Sequence, residues 1–546
     1  MMKKILSVLI SVLLLGTVFS AVGCNKDEKK VNSMKTQLYV GNCGGGFGEE
    51  WLSNLIARFE EEYKDYSFEP GKVGIQVWQD TDKTKYAGDQ LKTSITGSDR
   101  DVIFANYMSL YSFVNEDSSA LLDITDIVTQ PLDEMGDTGT IEDKIQSDEK
   151  DYFNFNGKYY AIPYFSGFTG IVYDVDLFDS KGLYLRNDGT AGAKLDDPDI
   201  SAGPDGKEGT YDDGLPATYE EFFEMCNFMK NTKGITPFIW TGQYTQAYTS
   251  YLYEALFVDY EGKDRASLQY NAGEIAGKNT TDLVTGFKNG QPLIQENIEI
   301  SRQNYKELAK QPGRYYALKF WEQLIDGQYY DNLSFDDSES NLLAQADFLE
   351  STMDTDKIAM ILEGTWWENE AEDVFNDMVS INEKYSKYNR RFGFMPMPKA
   401  DESRLGKNVL RDGVANVVVI RGNIEERKIE AAKTFVQFAC TEQSLKEITK
   451  TTGITCALDY ELTEEELSKM TYFCRSVWNL QQNSDIVYAR FETDDVETFV
   501  RGSGYNAFIE RYSRVGEVEE TNFANAMLYR DVTAEQYFNG LYDYMN

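Results

Sequence analysis

The chain has 546 residues and is strongly acidic, since 53 Lys and Arg stand against 91 Asp and Glu and give a formal net charge of −38. Phosphate groups repel such a chain, so nucleic acid and anionic lipid are poor partners. The absence of His excludes Ser-His-Asp and Cys-His triads and imidazole metal ligands, whereas two-carboxylate chemistry such as glycoside hydrolysis stays open.

The first 24 residues are typical of a secretory signal peptide. Lys3 and Lys4 precede an apolar run over 5–15, and small residues lead to Cys24. The run is too short to span a bilayer of about 30 Å as a permanent helix. The residues before Cys24 resemble a lipobox, although an ordinary signal peptide with a chance Cys is the alternative. We therefore predict a signal peptide over 1–23, a lipid anchor on Cys24, a tether over 24–35, and a location at the outer face of the cytoplasmic membrane.

Strands and helices alternate after the tether. The apolar pattern predicts strands over 37–40, 74–78 and 101–105 and helices over 49–63 and 86–96. This order is one wound βαβαβ unit of an α/β fold. Ligands in such sheets bind at the carboxyl ends of strands, which here are the glycine-rich turn 41–48 and the pair Asn106 and Tyr107. Acidic residues after the glycine turn argue against a phosphate site.

Residues 187–215 form a Gly- and Asp-rich insertion without an apolar period. Its Gly-Pro-Asp-Gly stretch resembles short calcium-binding loops of secreted proteins, and carboxylates on a sharply turning backbone suit Ca²⁺. The predicted ligands of a structural calcium ion are Asp205, Glu208, Asp212 and Asp213. A solvated surface loop is the alternative, and no other cofactor is required.

Five cysteines follow Cys24, at positions 43, 226, 440, 456 and 474. They form no CxxC motif, and an odd number cannot pair completely. Buried free thiols are therefore expected, although Cys456 could form a disulfide with Cys440 or with Cys474.

Six further motifs follow one another between residues 157 and 454. They are 157–163 with 170–174, 215–222, 357–367, 392–398, 417–438 and 452–454. In this order they resemble the landmarks of extracellular solute-binding proteins of family 1, the maltose-binding-like receptors of sugar ABC importers. The resemblance runs from about residue 36 to the C-terminus.

This resemblance implies two interleaved α/β lobes of the periplasmic-binding-protein type that close on a ligand by a hinge motion. The implied segments are 36–165 in lobe 1, 166–410 in lobe 2, 411–452 back in lobe 1 and 453–546 in lobe 2. It also implies a monomer that presents its ligand to the permease subunits of an ABC importer and that needs no catalysis.

Aromatic residues make up 14% of the chain and include 36 Tyr. Aromatic faces pack against sugar rings and planar polar side chains bind their hydroxyls. The predicted ligand-binding residues are Phe47, Trp51, Asn106, Tyr107, Trp240, Trp366, Trp367 and Asp412. Trp366 matches the stacking Trp of the family. Core packing is the alternative for each Trp, and an ion pair with Arg411 is the alternative for Asp412.

The chain is thus expected to bind a carbohydrate, and its length favours an oligosaccharide. The first alternative is a secreted glycoside hydrolase that uses two carboxylates. The second is a sensor that reports a solute, including a solute that is not a sugar, to a sensor kinase without transport. The third is a binding protein for peptides or polyols.

Overall fold

The computed structural model describes residues 30–545 except 98, 107, 117–118, 354 and 504–521. The predicted signal peptide, Cys24, the first part of the tether and Tyr107 therefore lie outside the described residues. Among the residues that are described, no helix is both long and apolar enough to cross a bilayer.

The strands, in chain order, have the following bounds: β1 Thr36–Asn42, β2 Ile75–Thr81, β3 Val102–Ala105, β4 Ala161–Pro163, β5 Thr169–Asp174, β6 Tyr184–Leu185, β7 Ala191–Ala193, β8 Thr236–Ile239, β9 Thr280–Lys288, β10 Gln291–Glu299, β11 Ile358–Gly364, β12 Phe392–Met395, β13 Asn408–Asp412, β14 Val417–Ile420 and β15 Ser484–Tyr488.

The α-helices of the described residues have the following bounds: α1 Glu50–Glu62, α2 Leu91–Gly97, α3 Leu110–Glu116, α4 Thr125–Thr129, α5 Ile141–Lys144, α6 Lys150–Phe153, α7 Val175–Lys181, α8 Tyr219–Asn227, α9 Thr245–Asn271, α10 Pro312–Asp326, α11 Asn341–Glu350, α12 Trp367–Glu370, α13 Glu372–Ile381, α14 Ile429–Ala439, α15 Glu442–Thr452, α16 Glu464–Ser468, α17 Tyr472–Gln482, α18 Asp494–Ser503, α19 Phe523–Arg530 and α20 Ala534–Met545.

The first lobe is built on a five-stranded sheet with the order β2-β1-β3-β14-β4. Strand β1 is parallel to β2 and β3, and β14 returns from far along the chain to lie antiparallel to β3 and β4. The predicted βαβαβ unit is confirmed. In α1, Trp51, Leu52, Leu55, Ile56 and Phe59 are buried on one face, as the apolar spacing predicts.

The second lobe is built on a four-stranded sheet with the order β12-β5-β11-β8. Strand β11 lies in the middle and is buried at every residue. Helix α8 of this lobe is capped by Thr218, whose hydroxyl accepts from the amide of Glu221 while the Glu221 side chain accepts from the amide of Thr218. This reciprocal cap lies in the motif 215–222 and fixes the start of the helix.

Two separate cores show how the chain passes between the lobes. The first core contains buried residues between 38 and 165 and again between 414 and 458. The second lobe holds buried residues between 168 and 410 and again from 473 onward. Three crossings therefore join the lobes, near 166, near 413 and after 458. The two-lobed α/β class is confirmed, and the chain stays with the first core beyond the predicted boundary at 452.

A short parallel pair connects the second crossing to the C-terminal part of the chain. Strand β13 pairs with β15 over five residues, so that Asp412 lies opposite Tyr488. This pairing brings the residues after β15 next to the hinge. Those residues form one side of the cleft described below.

Candidate ligand-binding site between the lobes

A cavity of about 200 Å³ lies between the lobes beside the second crossing. We call it the hinge cleft. It is lined by residues from lobe 1, lobe 2, the crossing and the segment after β15: Met108, Ser109, Tyr152, Tyr270, Gly413, Ala415, Ala489, Arg490, Phe491, Glu497 and Arg501. All parts of the fold that would move in a hinge motion meet there, so ligand contacts in this cavity depend on closure.

Three aromatic rings give the hinge cleft apolar faces. Tyr152 lies in α6 of lobe 1, and its ring packs edge-on against that of Tyr111, with 5.0 Å between the ring centres. Tyr270 lies near the end of the long helix α9 in lobe 2, with its ring 6.2 Å from that of Phe491. Rings of this kind pack against the C–H faces of sugars, and their fixed positions lower the entropy lost on binding.

Arg490 lies inside this aromatic wall. Its guanidinium carbon is 4.4 Å from the ring centre of Tyr152 and 4.8 Å from that of Tyr488. It forms an ion pair with the buried Glu149 of lobe 1. Burial lowers the pKa of the Arg490 guanidinium, but the guanidinium remains a cation because its intrinsic pKa is very high. The pair joins the segment after β15 to lobe 1.

Glu497 places a carboxylate at the opposite side of the same wall. The hydroxyl of Ser109 in lobe 1 lies 2.8 and 2.9 Å from its two oxygens. One turn later in α18, Arg501 donates to the same carboxylate at 2.8 Å. The carboxylate is buried and held from both sides, so its orientation is fixed before a ligand arrives.

Two further cavities continue the hinge cleft along the interface between the lobes. Their volumes are about 70 and 330 Å³. Both are lined by Asp148 and Tyr152 of lobe 1 and by Lys263 and Ser267 of α9. Since Tyr152 also lines the hinge cleft, the three cavities adjoin one another in a row, and their walls contain both aromatic rings and hydrogen-bonding groups.

Trp366 lies between the lobes but is not among the residues that line these three cavities. Its indole packs over Gly364 and against Gly46 of the lobe 1 turn, where a Cβ atom would collide with it. A Cβ on Gly167, in the first crossing, would lie 3.2 Å from the ring. The indole is partly exposed. In this arrangement Trp366 joins lobe 2 to lobe 1, and its stacking on a ligand stays a prediction.

Phe47 and Trp51 belong to the core of lobe 1, close to the contact between Trp366 and Gly46. Phe47 stacks on Phe165 at 4.7 Å and lies 6.3 Å from the Trp366 ring. Trp51 is fully buried, with its ring edge-on to Phe104 at 5.0 Å. For Trp51 the structure therefore supports core packing, because α1 turns its apolar face to the sheet. Phe47 is buried at the junction of the lobes.

Asn106 follows β3 in lobe 1, and Asp412 ends β13 at the second crossing. The side-chain amide of Asn416 donates to Asn106 at 2.5 Å. Asp412 accepts from the amide of Val414 at 3.2 Å, and burial raises the pKa of Asp412 to about 6. Arg411 pairs with Glu254 at 2.7 Å. Both predicted residues hold the hinge together.

The structure corrects the predictions for Trp240 and Trp367, which are fully buried. The ring of Trp240 lies 5.3 Å from Trp321 and 5.4 Å from Phe335 in the core of lobe 2. That of Trp367 lies 5.2 Å from Phe392 in the same lobe. Both tryptophans follow a strand of the sheet, but their side chains turn back over it and cannot meet a ligand.

Two of the four predicted calcium ligands, Asp212 and Asp213, accept hydrogen bonds from other groups of the insertion 187–215. The amide of Asp205 and the hydroxyl of Thr210 donate to the buried Asp212 at 3.0 and 2.6 Å. Asp213 accepts from the amide of Gly209 at 2.8 Å, and Glu208 is exposed. Within the described part of the chain, no group of three or more Asp, Glu, His or Cys is arranged to hold a metal ion. Calcium binding stays a prediction, tested by thermal unfolding with EDTA and with added CaCl₂.

The five described cysteines are free and buried, at positions 43, 226, 440, 456 and 474. Burial raises the pKa of Cys440 and of Cys456 to about 12 in each case, so these thiols are poor nucleophiles. They serve as small apolar side chains in the cores, as expected from their spacing.

None of the predicted ligand-binding residues that the structure describes is among those that line the hinge cleft. Ser109, Tyr152, Tyr270, Arg490 and Glu497 come from four distant parts of the chain, and only the tertiary fold brings them together. The run 488–492 begins at the last residue of β15 and combines two aromatic with two charged residues. It is the one local signal that could have pointed to the side wall of the hinge cleft.

Comparison with known proteins agrees with this architecture. The family model for bacterial extracellular solute-binding proteins matches residues 54–469. A chitin oligosaccharide binding protein covers 91% of this chain and 94% of its own at 15% identity, with a TM-score of 0.54. The apo-form of RafE from Streptococcus pneumoniae covers 95% of this chain and 99% of its own at 14% identity, with a TM-score of 0.54.

A third structure, the cyclic alpha-maltosyl-1,6-maltose binding protein from Arthrobacter globiformis, covers 94% of this chain and 98% of its own at 12% identity and a TM-score of 0.53. A comparison with curated protein sequences gives no match. At these identities the solved structures establish the fold. The family match spans most of the sequence, from α1 to the third crossing, and so the chain belongs to the bacterial extracellular solute-binding proteins.

Proposed function

We propose that this protein binds an oligosaccharide in the hinge cleft and the adjoining cavities and delivers it to the permease subunits of an ABC importer. The observation that carries the proposal is the row of cavities between the lobes, where Tyr152, Tyr270 and Phe491 supply rings and Glu497 and Arg490 supply hydrogen-bonding groups. Sugar rings need apolar faces and bidentate polar groups together, and this wall contains both.

Two considerations support a carbohydrate over other solutes. The structural relatives include proteins for chitin oligosaccharides, for cyclic alpha-maltosyl-1,6-maltose and for raffinose. The cavities provide more than one compartment for a ligand, since one lies beside the crossing and another beside Lys263 and Lys278. Ligand contacts to both lobes exist only in the closed state, so binding shifts the population toward it.

Ligand binding is tested on the protein from residue 31 onward, which lacks the predicted anchor. We expect one of chitotriose, maltotriose, xylotriose or raffinose to raise the unfolding temperature, because a ligand of the folded state stabilises it by mass action. Isothermal titration then gives the dissociation constant. Chromatography after overnight incubation should recover the sugar unchanged. Cleavage of the sugar would favour the glycoside hydrolase, and no binding by any sugar would favour a non-sugar solute.

We further propose that Cys24 carries the lipid that holds the protein at the outer face of the cytoplasmic membrane, as a monomer. Wild-type protein should enter the detergent phase of a Triton X-114 separation, and Cys24→Ser should move it to the aqueous phase. Light scattering after size exclusion tests the monomer. Recovery of the Cys24→Ser variant in the detergent phase would contradict the anchor.

A further inference from the structure

The segment after β15, residues 489–503, forms a strap that begins at the hinge and ends in lobe 2. Val496 and Val500 of α18 are buried in the core of lobe 2. The Phe499 ring lies 5.7 Å from Tyr305, and Asp495 pairs with Arg302 on the outer side of the helix. The strap is therefore a rigid part of lobe 2.

The strap also contacts lobe 1 at three separate places along its length. Arg490 pairs with Glu149. The hydroxyl of Tyr111 donates to the backbone carbonyl of Glu492 at 2.8 Å. Ser109 meets the Glu497 carboxylate, as described above. These contacts extend from the hinge to the middle of α18, so the strap bridges the lobes along one side of the hinge cleft.

Five of the residues that line the hinge cleft belong to the strap, namely Ala489, Arg490, Phe491, Glu497 and Arg501. The back of the same cavity is closed by Gly413 and Ala415 of the second crossing. A chain of sugar units that enters between the lobes therefore meets the crossing at the back and the strap at the side.

We propose that the strap closes one end of the hinge cleft, so that the cleft takes the end of a linear glycan and Glu497 binds the terminal unit. This inference rests on the proposed function, because it specifies which part of the oligosaccharide lies at the crossing. An inner segment would need an exit for the chain on both sides, and the three contacts of the strap to lobe 1 occupy one of them.

The chemistry of Glu497 fits a terminal sugar. A carboxylate has about four acceptor sites, and Ser109 has a single hydroxyl hydrogen to donate. Both contacts from Arg501 are to Oε1 of Glu497, at 2.8 and 2.7 Å, so these donors do not use all the acceptor sites of a carboxylate that lines the cavity. A terminal unit carries one more free hydroxyl than an inner unit, because the inner unit uses that oxygen in a glycosidic bond. The closed end of the hinge cleft can therefore distinguish the terminal unit of a glycan from an inner unit by one additional hydrogen bond.

The test compares end-capped trisaccharides on the wild-type protein. The probes are chitotriose, maltotriose and xylotriose, each with its reducing-end methyl glycoside and with its form methylated on the non-reducing 4-hydroxyl. For the trisaccharide that binds, we expect capping one end to weaken binding by about tenfold or more, because a buried acceptor loses its donor. Capping the other end should change the dissociation constant less than threefold, roughly the scale of a solvent-exposed group.

The variant Glu497→Gln should weaken binding of the uncapped trisaccharide and reduce the difference between the two capped forms. Its control is Asp495→Asn, which makes the same exchange on the outer side of α18 and should bind as wild type. Equal binding of both capped forms, or equal loss with both, would overturn the inference even if Glu497→Gln failed to fold. Absence of binding by every uncapped trisaccharide would instead contradict the proposed function.

Discussion

At the scale of single residues, Trp366 and Trp367 show how neighbouring side chains take different roles. Trp366 lies between Gly46 of lobe 1 and Gly364 of lobe 2 and stays partly exposed. Trp367 is fully buried among aromatic rings of lobe 2. Because one ring belongs to the lobe interface and the other to a core, their removal should affect different properties.

We expect Trp367→Ala to lower the free energy of unfolding by about 3–5 kcal/mol, as is usual for a large ring removed from a core. Trp366→Ala should cost less stability, because its ring is partly solvated, but should weaken oligosaccharide binding since it loosens the closed arrangement. Urea unfolding and titration calorimetry of the two variants measure these effects. An equal stability loss in both variants, with unchanged affinity for Trp366→Ala, would contradict this assignment.

Asp412 gives a prediction for pH. Burial raises the pKa of its carboxyl to about 6 in the folded protein, above the unfolded value of about 3.9. Folding therefore favours the protonated form, and its contribution to stability falls as pH rises from about 4 to 6, by up to about 3 kcal/mol. The free energy of unfolding of Asp412→Asn, relative to that of the wild type, should therefore be higher at pH 7.5 than at pH 4.5.

Thermal unfolding at the two pH values measures this difference. Asp495→Asn, an exposed exchange on α18, serves as the control and should show no such change between the two pH values. A gain for Asp412→Asn that is the same at both would mean that Asp412 keeps an ordinary pKa in the folded state.

At the scale of elements, the lobes meet through two turns. The side-chain amide of Asn369 donates to the carbonyl of Gly46 at 2.8 Å, next to the Trp366 indole. The Gly46 backbone does not adopt a left-handed conformation, so its small size is required only by the approach of the indole. The turn after β1 is therefore a contact surface for lobe 2, whereas the sequence predicted that this turn binds the ligand.

Gly46→Ala should push these turns apart. We expect weaker oligosaccharide binding with little change in unfolding temperature, since neither core is altered. Gly97→Ala is the matched control, because no atom outside its own helix lies near that position. Small-angle X-ray scattering should show a larger radius of gyration for Gly46→Ala than for Gly97→Ala. Equal radii and equal affinities would show that the turns accept the methyl group without opening.

The elements themselves follow from local patterns, which explains why they could be predicted. The strands and helix of the βαβαβ unit, the cap at Thr218 and the buried strand β11 each depend on residues close in sequence. The hinge cleft does not, because Ser109 meets Glu497 and Glu149 meets Arg490 only after two sheets and three crossings have formed. Long-range pairs of this kind leave no period or spacing in a single sequence.

At the scale of the whole molecule, several buried carboxyl groups act in the same direction. Burial raises the pKa of Glu261 and of Glu368 to about 7, and burial together with the nearby Glu370 raises that of Glu363 to about 8. Each group disfavours the folded state when it ionises. Their effects therefore add to the repulsion within a chain of net charge −38.

We expect the unfolding temperature to fall as pH rises from 5.5 to 8.5, because protonated carboxyls are favoured in the folded state over this range. Added NaCl at pH 8.5 should recover only part of the loss, since salt screens exposed charges far more than buried ones. Scanning calorimetry over pH and salt measures both. A temperature that rises with pH, or full recovery by salt, would mean that surface charge alone sets the dependence.

The position of Trp366 has a consequence for spectroscopy. Trp51, Trp240, Trp321 and Trp367 are fully enclosed in the cores, so their emission should stay constant while the lobes move as rigid bodies. The indole of Trp366 is covered by Gly46 only while the two turns touch. Opening would expose this indole to water and shift its emission to longer wavelength. The protein thus contains its own fluorescent reporter of closure, which needs no attached dye.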